Sequence, residues 1–547
     1  MKILVNDIDK SINDLLNNTD SIDTDNMLLI SPDLIRNGIG RLKVGKNYGS
    51  LPLKSDNLLH ATNILHGHLS LLFSVMLKHG CSPEGMLMGT MVPLPKGKFN
   101  DVSKSKNFRA LTISSLLGKV LDNIILNVEC DNLVTNDLQF SFKKGMSTTM
   151  CTTMIRETIS YFVNKGSTVY SLVLDATKAF DRINYCKLFR ILMNRKINPL
   201  ICRLLLNMYT NQKLRVKWAN AYSGEFSVKN GVKQGGVISP LLYCIYIDGL
   251  IKELVNSEVG CYMGGVYAGI FMFADDLKLL APSVRALHIM LNICLDYAAR
   301  FDVLFNDKSQ LIIFKANNDI PNPDIFINNV KLNAVTSVNH LGHTLHSNIF
   351  VSDSNKCVND FHVQFNAFMG DFKHLSSEIK QKLFISYCTA FYGSQFLPVY
   401  DSNCMNSLHV AWRRAMRKVW CLPRLTHNNL LPLIADVLPP ELMFEKRSIK
   451  FINKIINSDN KTVNMITGMG LYGTHSVLGK SYNYLMAKHG MSIVKLYNGW
   501  EAACQQHTDL KRTSDQIKEL IVIRDSFDEY FLTRSEAKDL IDYLCTV

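Results

Sequence analysis

The sequence predicts an α+β protein, and three observations carry that expectation. Apolar residues between Leu58 and Leu77 recur at helical spacing. From Met86 to about Leu345, short apolar runs broken by Pro and Gly read as strands mixed with helices, beginning with Met91-Val92-Pro93-Leu94-Pro95-Lys96-Gly97. Helical periodicity returns at Gln381 to Tyr392, at Leu408 to Val419, and in a tail from Leu442 to Val547 that alternates with Asn- and Gly-containing loops.

The first 50 or so residues are polar and rich in Asn and Asp, which predicts a loose lead-in before the helices. A chain of 547 residues exceeds the usual size of one hydrophobic core, so roughly two to four domains or subdomains are expected. The Leu422-Pro423 pair marks a break, because proline cannot continue a helix.

With 47% hydrophobic and 20% charged residues, the composition is that of a folded globular protein and excludes wholesale disorder. A formal charge of +13 favours a polyanionic partner without requiring one. The 14 cysteines contain no Cys-x-x-Cys pair, which speaks against a zinc knuckle or a disulfide framework and predicts reduced thiols inside the cell. Met1 to Asp20 lacks a secretory signal and the apolar stretches are too short to span a bilayer, so no membrane partner is expected.

Val169 to Leu174 is a run of β-formers that delivers Asp175 to the end of a largely buried strand. Phe271-Met272-Phe273-Ala274, then Asp275-Asp276, then Leu277-Lys278-Leu279-Leu280 reads as a hairpin with adjacent carboxylates at its bend. Like charges beside a hydrophobic strand are costly unless a cation neutralises them, and hard oxygen donors suit Mg²⁺ better than Zn²⁺. Phosphoryl transfer needs two metals roughly 4 Å apart, hence carboxylates converging from different strands. Each motif alone has a plainer reading, a strand-end Asp capping a turn or a solvated acidic bend.

Between them, Asn230-Gly231-Val232-Lys233-Gln234-Gly235-Gly236-Val237-Ile238-Ser239-Pro240 reads as a glycine-rich turn feeding a helix, with Ser239 at the cap and Pro240 at the first position. Leu242, Ile245, Tyr246 and Leu250 follow at helical spacing and should be core.

The ordered set Leu174-Asp175-Ala176-Thr177-Lys178-Ala179-Phe180-Asp181, Gln234-Gly235-Gly236-Val237-Ile238-Ser239-Pro240 and Phe273-Ala274-Asp275-Asp276 resembles the non-LTR (LINE-type) retrotransposon reverse transcriptases. Upstream, Asn107 to Thr112 resembles the family's fingers and Gln139 to Gly145 the segment leading to its palm. The resemblance covers roughly Leu58 to Asn457 and implies a right-hand polymerase with fingers, palm and thumb, followed by a mainly helical C-terminal region. The expected domains are a helical N-terminal extension at 1–85, reverse transcriptase fingers and palm at 86–345, a helical thumb-like region at 346–430, and a helical region of unknown role at 431–547.

The resemblance implies an RNA-directed DNA polymerase that uses two Mg²⁺ ions held by Asp175, Asp275 and Asp276. The primer 3′-hydroxyl attacks a deoxynucleoside triphosphate on an RNA template, with a DNA primer or target as the other partner. Lys96 and Arg109 are implied in triphosphate binding, where an arginine fork suits phosphate oxygens. Gln234 and Gly235 join the nucleotide site, and Phe180 lies under the sugar, where its bulk disfavours a 2′-hydroxyl. Lys308, in Phe305-Asn306-Asp307-Lys308-Ser309, is implied as the proton donor to departing pyrophosphate. Leu341 and Gly342, in His340 to Leu345, are implied in gripping the primer. His340, His343 and His346 invite a zinc assignment but lack a fourth ligand, so they are expected to be strand and loop histidines. Arg413-Arg414-Ala415-Met416-Arg417-Lys418, between Trp412 and Trp420, suits backbone phosphates or, as readily, a solvated helix face with inward tryptophans.

Full-length relatives often carry an upstream endonuclease for which 547 residues leave no room, so a nick or primer is expected from elsewhere, or else the sequence is a fragment or relic of an element. The rival reading is a catalytically lapsed nucleic-acid-binding protein of the same fold. A viral RNA-dependent RNA polymerase is disfavoured by Phe180 and by Ala274 before the acidic pair. Family habit implies work in the nucleus.

Overall fold

The computed structural model describes residues 2–17, 30–46, 53–97, 101–306, 308–316, 322–349, 354–435, 437–473 and 475–488. Asp307 and the tail beyond residue 488 lie outside the described residues.

Within the first 50 residues, whose polar composition predicts a loose lead-in, the described residues include two helices. Lys2–Asn17 is a helix that buries Ile8 and Ile12, four residues apart, against the helices Tyr185–Asn194 and Pro199–Thr210. Pro32–Gly40 is a second, begun by Ser31, whose hydroxyl accepts the Leu34 N–H at 3.3 Å, and by proline at its first position. Ile35 and Ile39 of this helix are buried, and the helix packs against Leu116–Val128. The polar composition masked these elements because only one narrow stripe of each is apolar.

Two five-stranded sheets occupy the middle of the chain. In the first, Met88–Pro95 lies between Phe108–Ile113, antiparallel, and Lys213–Trp218, parallel, with Ala221–Tyr222 and Phe226–Ser227 pairing onto the last. The second runs in the order Ala334–Val335, Gln310–Phe314, Val169–Asp175, Asp276–Ala281, Ile270–Phe273. Its central strand Val169–Asp175 is buried over most of its length because helices Thr148–Asn164 and Val284–Phe301 both pack against it. That explains why the β-forming run before Asp175 does not alternate apolar with solvated residues, even Ser171 being buried.

Ser239–Asn256 is the helix expected after the glycine-rich turn, but it starts one residue earlier than anticipated. Ile238 is the cap and Ser239 is its first residue, with the Ser239 hydroxyl 3.4 Å from that of Tyr209 in the core. Beyond the sheets, the helices Ser354–Phe372, Ser377–Cys388 and Ser402–Val419 pack on one another around Phe361, Phe365, Phe368 and Phe384. The second ends at Cys388, short of the expected Tyr392, and the third starts at Ser402, six residues before Leu408, where the Asp401 carboxylate caps it. It ends at Val419, just before Leu422-Pro423. Lys461–Tyr472 returns to pack on Thr148–Asn164, and Asn460 donates to the Asp137 carbonyl at 2.8 Å, so C-terminal helices close over the central segment. No helix among the described residues is long and apolar enough to cross a membrane.

Candidate active site

The three acidic side chains meet at one end of the second sheet. Asp276 opens its strand directly opposite Asp175 in the antiparallel register, and opposite Phe273 on its other side. Directly paired residues place their Cβ atoms roughly 4.5–5.5 Å apart on the same face. Ala274 and Asp275 form the turn between Phe273 and Asp276, with Ala274 at φ 57°.

That turn is pinned from far upstream. The Ala274 N–H is shared between Gln139 Oε1 at 3.1 Å and Ser141 Oγ at 3.0 Å, and the Ser141 hydroxyl donates to Gln139 Oε1 at 2.9 Å. The segment around Gln139 also bonds the strand before the turn, through Met272 N–H to Leu138 O at 2.9 Å and Phe140 N–H to Met272 O at 2.8 Å. Gln139 and Ser141 are both buried, so these bonds form away from water, where leaving them unmade is costly.

Asn306 fixes the third carboxylate. Its amide donates to Asp175 Oδ2 at 2.9 Å and to Thr177 Oγ1 at 3.1 Å, while its own oxygen accepts the Lys308 N–H at 2.8 Å. Backbone bonds from Asn306 N–H to Asp175 O, 3.1 Å, and from Thr177 N–H to Leu304 O, 2.8 Å, tie the same two segments.

The electrostatics are those of crowded acids. Burial, then the Asp275 and Asp175 charges, push Asp276 up to about 6. Asp275 is also raised, first by burial and then by Asp175, against the pull of its own backbone N–H and of the Arg109 guanidinium. A carboxylate cluster that holds protons this readily is one that a divalent cation would stabilise. In their present positions no three His, Cys, Asp or Glu side chains surround a single point among the described residues. Asp175 is turned onto Asn306. Three hard oxygen donors on adjoining strands are nonetheless the ligand type that Mg²⁺ takes.

Other residues singled out in the sequence collect around this point to different degrees. Arg109 is exposed on the first sheet, within electrostatic reach of Asp275. Gly235 sits at φ +115°, where a Cβ would lie 2.6 Å from the Thr112 carbonyl oxygen, and the Thr112 N–H donates to Gln234 O at 2.6 Å. The glycine turn therefore docks edge-on against the strand carrying Arg109. Gln234 donates to Asp181 Oδ1 at 3.3 Å, and Lys96 lies in electrostatic reach of the same Asp181. Phe180 is half-buried and stacks on Tyr243, with ring centroids 5.0 Å apart and planes at 18°, while Tyr243 feels the charge of Asp275. Lys308 is exposed on the turn beside Asn306.

Leu341 and Gly342 form the two-residue bend of the hairpin Ser337–His340 and His343–His346, at φ 52° and 79°. Positive φ at both central residues marks a type I′ turn, the kind that matches strand twist. Tyr392 donates to Leu341 O at 2.9 Å, and a Cβ on Gly342 would meet the Tyr392 ring at 3.0 Å. His340 and His343 close the hairpin, both buried, and His343 stacks on Tyr392 at 4.6 Å with planes 4° apart. His340 and His343 are thus packed into the hairpin and its aromatic neighbours. On the helix Ser402–Val419, Trp412 is buried, Arg413 pairs with Glu441 and Arg417 donates to Thr426 O, leaving Arg414 and Lys418 exposed. Trp420 is half-buried, its indole N–H donating to Gln381 Oε1 at 2.8 Å, so both tryptophans turn inward.

Asn306, Gln139, Ser141 and Tyr243 are supporting residues with no individual role assigned from the sequence, although the first three lie in segments that carry the resemblance. None carries a recognisable chemical signature on its own, since each acts through a partner over 60 positions away in the chain.

Residues 94–345 match the family described as reverse transcriptase (RNA-dependent DNA polymerase). The chain is 28% identical to the Pol polyprotein of the type-1 retrotransposable element R2 of Nasonia vitripennis, over 42% of this chain and 22% of that protein. It is 24% identical to the probable RNA-directed DNA polymerase from transposon X-element of Drosophila melanogaster, over 62% of this chain and 37% of that one. The RNA-directed DNA polymerase from mobile element jockey of Drosophila funebris matches at 23%, over 64% of this chain and 40% of its own length. The chain thus spans between 22% and 40% of the length of these relatives. Among solved structures, apo telomerase from Candida tropicalis aligns over 73% of this chain and 74% of its own at 11% identity and a TM-score of 0.39.

Proposed function

We propose, on the premise that residues 94–345 are a reverse transcriptase domain of the non-LTR retrotransposon kind, that this chain is an RNA-directed DNA polymerase. The observation that carries the proposal is the register pairing Asp276 with Asp175 beside a turn that presents Asp275. Two Mg²⁺ ions held by Asp175, Asp275 and Asp276 would supply Lewis-acid stabilisation of charge on the reacting phosphoryl oxygens.

The remaining work falls to side chains around the carboxylates. Arg109, and Lys96 beyond it, hold and orient the triphosphate with charge-assisted hydrogen bonds. Phe180, stiffened by its stack on Tyr243, forms the floor under the sugar and crowds a 2′-hydroxyl. Gln234 and Gly235 shape the wall of the nucleotide site, close enough to the strand of Arg109 that only glycine fits. Lys308 returns a proton to pyrophosphate. The Leu341-Gly342 bend, braced by the Tyr392 hydroxyl on the Leu341 carbonyl, grips the primer end. RNA template, DNA primer or target, and deoxynucleoside triphosphates are the partners, and the nucleus is the expected place of work.

Primer extension on an RNA template tests the reading. Incorporation of deoxynucleotides that disappears in Asp275→Asn supports it. Tight binding of primer–template with no incorporation by the unaltered chain favours the binding-protein reading.

A further inference from the structure

The face of the first sheet that bears Arg109 continues outward as a strip of bases and exposed apolar groups. Arg109 stands opposite Leu94, and Leu111 opposite Val92. Thr90 stands opposite Arg215 on the other side of the same strand. Alternation along each strand then puts Arg109, Leu111, Leu94, Arg215 and Lys217 on one face. Tyr222, opposite Lys217, joins them.

This strip is open to solvent and electrostatically one-sided. Leu94 is 43% exposed, Leu111 37% and Tyr222 48%. The Arg215 guanidinium lies 4.3 Å from the centre of the Tyr222 ring and Lys217 Nζ lies 5.7 Å from it. Arg215 Nε is buried without a hydrogen-bond partner. Between Lys213 and Ser227 the chain carries three bases and a single acid, Glu225. One of those bases, Lys213, is paired with Glu84 at 3.1 Å, which leaves Arg215 and Lys217 as the cations beside the ring.

An aromatic ring flanked by cations, reached across an apolar platform, suits a strand whose bases are unstacked and whose phosphates are accessible. A duplex hides its base faces and has nothing to offer the ring. The strip starts at Arg109, which lies within electrostatic reach of Asp275 and on the strand against which the Gln234-Gly235 turn docks, so a strand lying on it also runs toward the candidate active site. We propose that Tyr222, Lys217 and Arg215 hold unpaired template ahead of the copied position, the ring stacking on a base and the two cations meeting phosphates. The assignment rests on the polymerase reading for its direction, since only a polymerase has a template strand ahead of its site.

The test compares two primer–templates that differ only in the unpaired 5′ template, one nucleotide against ten, bound to the full chain and followed by fluorescence anisotropy. The longer overhang should bind more tightly to the unaltered protein. In the doubly substituted Tyr222→Ala, Lys217→Ala chain that gain should fall by about fivefold or more, the worth of one stacked base. Affinity for the short overhang should stay as it was, and Tyr222→Phe should keep most of the gain. Equal weakening on both substrates, or no weakening on either, overturns the proposal. If the overhang gain depends on these residues yet no nucleotide is ever incorporated, the single-strand surface stands and the polymerase reading falls. Normal incorporation with an overhang gain indifferent to the substitutions leaves the polymerase reading standing and removes the single-strand surface.

Discussion

The Asn306 amide lies 2.9 Å from Asp175 Oδ2 and donates to it, so the most distant of the three acids is aimed by a residue 131 positions later in the chain. Groups that orient a metal-binding carboxylate typically change metal affinity by about 10–100-fold when removed. Asn306→Ala is therefore expected to raise the Mg²⁺ concentration needed for half-maximal incorporation by about that factor. A Mg²⁺ titration of single-nucleotide addition measures it, and an unchanged midpoint would show that Asn306 only braces the loop.

Phe180→Val should admit ribonucleotides. The ring is held flat by Tyr243, so shortening it opens room under the sugar without a replacement moving in. The expected readout is a ratio of ribonucleotide to deoxynucleotide kcat/KM that rises by about tenfold or more, which asks for roughly 1.4 kcal/mol of relieved crowding. A ratio that does not move assigns Phe180 to core packing alone.

Gly235→Ala should damage both folding and nucleotide binding. The new methyl would enter at 2.6 Å from the Thr112 carbonyl, on backbone at φ +115°. Strain of this kind costs on the order of 1–3 kcal/mol. The expected result is a lower melting temperature together with a higher KM for the nucleotide. Gly145→Ala, at a position with nothing within 4 Å of the added carbon, shares only the backbone penalty and serves as the control.

Glu157 gives a pH-dependent expectation away from the site. It is buried on the helix Thr148–Asn164, and burial raises its carboxyl to about 7, against partial relief from Ser476, Arg156 and the Leu478 N–H. A carboxyl that binds its proton more tightly when folded than when unfolded adds stability at low pH, and that stability is lost as pH rises from about 4.5 towards 7. Glu157→Gln should therefore leave the melting temperature nearly unchanged at pH 5 and raise it at pH 8. The gain is on the order of 2 kcal/mol, and thermal melts at the two pH values decide it.

The site was legible in the sequence wherever a residue type and its immediate neighbours carry the chemistry. Asp175 could be read from the apolar run before it, and Asp275-Asp276 from two β-forming flanks with no room for more than a tight turn. The supports were not legible, because Gln139, Ser141 and Asn306 are ordinary polar residues until strand pairing brings them beside Ala274 and Asp175. The individual helices Lys2–Asn17 and Pro32–Gly40 were not legible in the polar composition for a different reason. Their order comes from packing a few isoleucines against distant helices, and local composition does not register that. The cap of Ser239–Asn256 slipped by one residue because the Ser239 hydroxyl is drawn inward to Tyr209.

The clamp that Gln139 and Ser141 place on the Ala274 N–H has a consequence for the neighbouring acids. Side chains alternate along a strand, so a shift of the hairpin by a single position would trade the places of Asp275 and Asp276. Anchoring the residue before them forbids that exchange. The two aspartates are chemically identical but positionally distinct, one facing Asp175 across the ladder and the other held at the loop, and reversing their duties would require breaking buried bonds to a segment some 135 residues away.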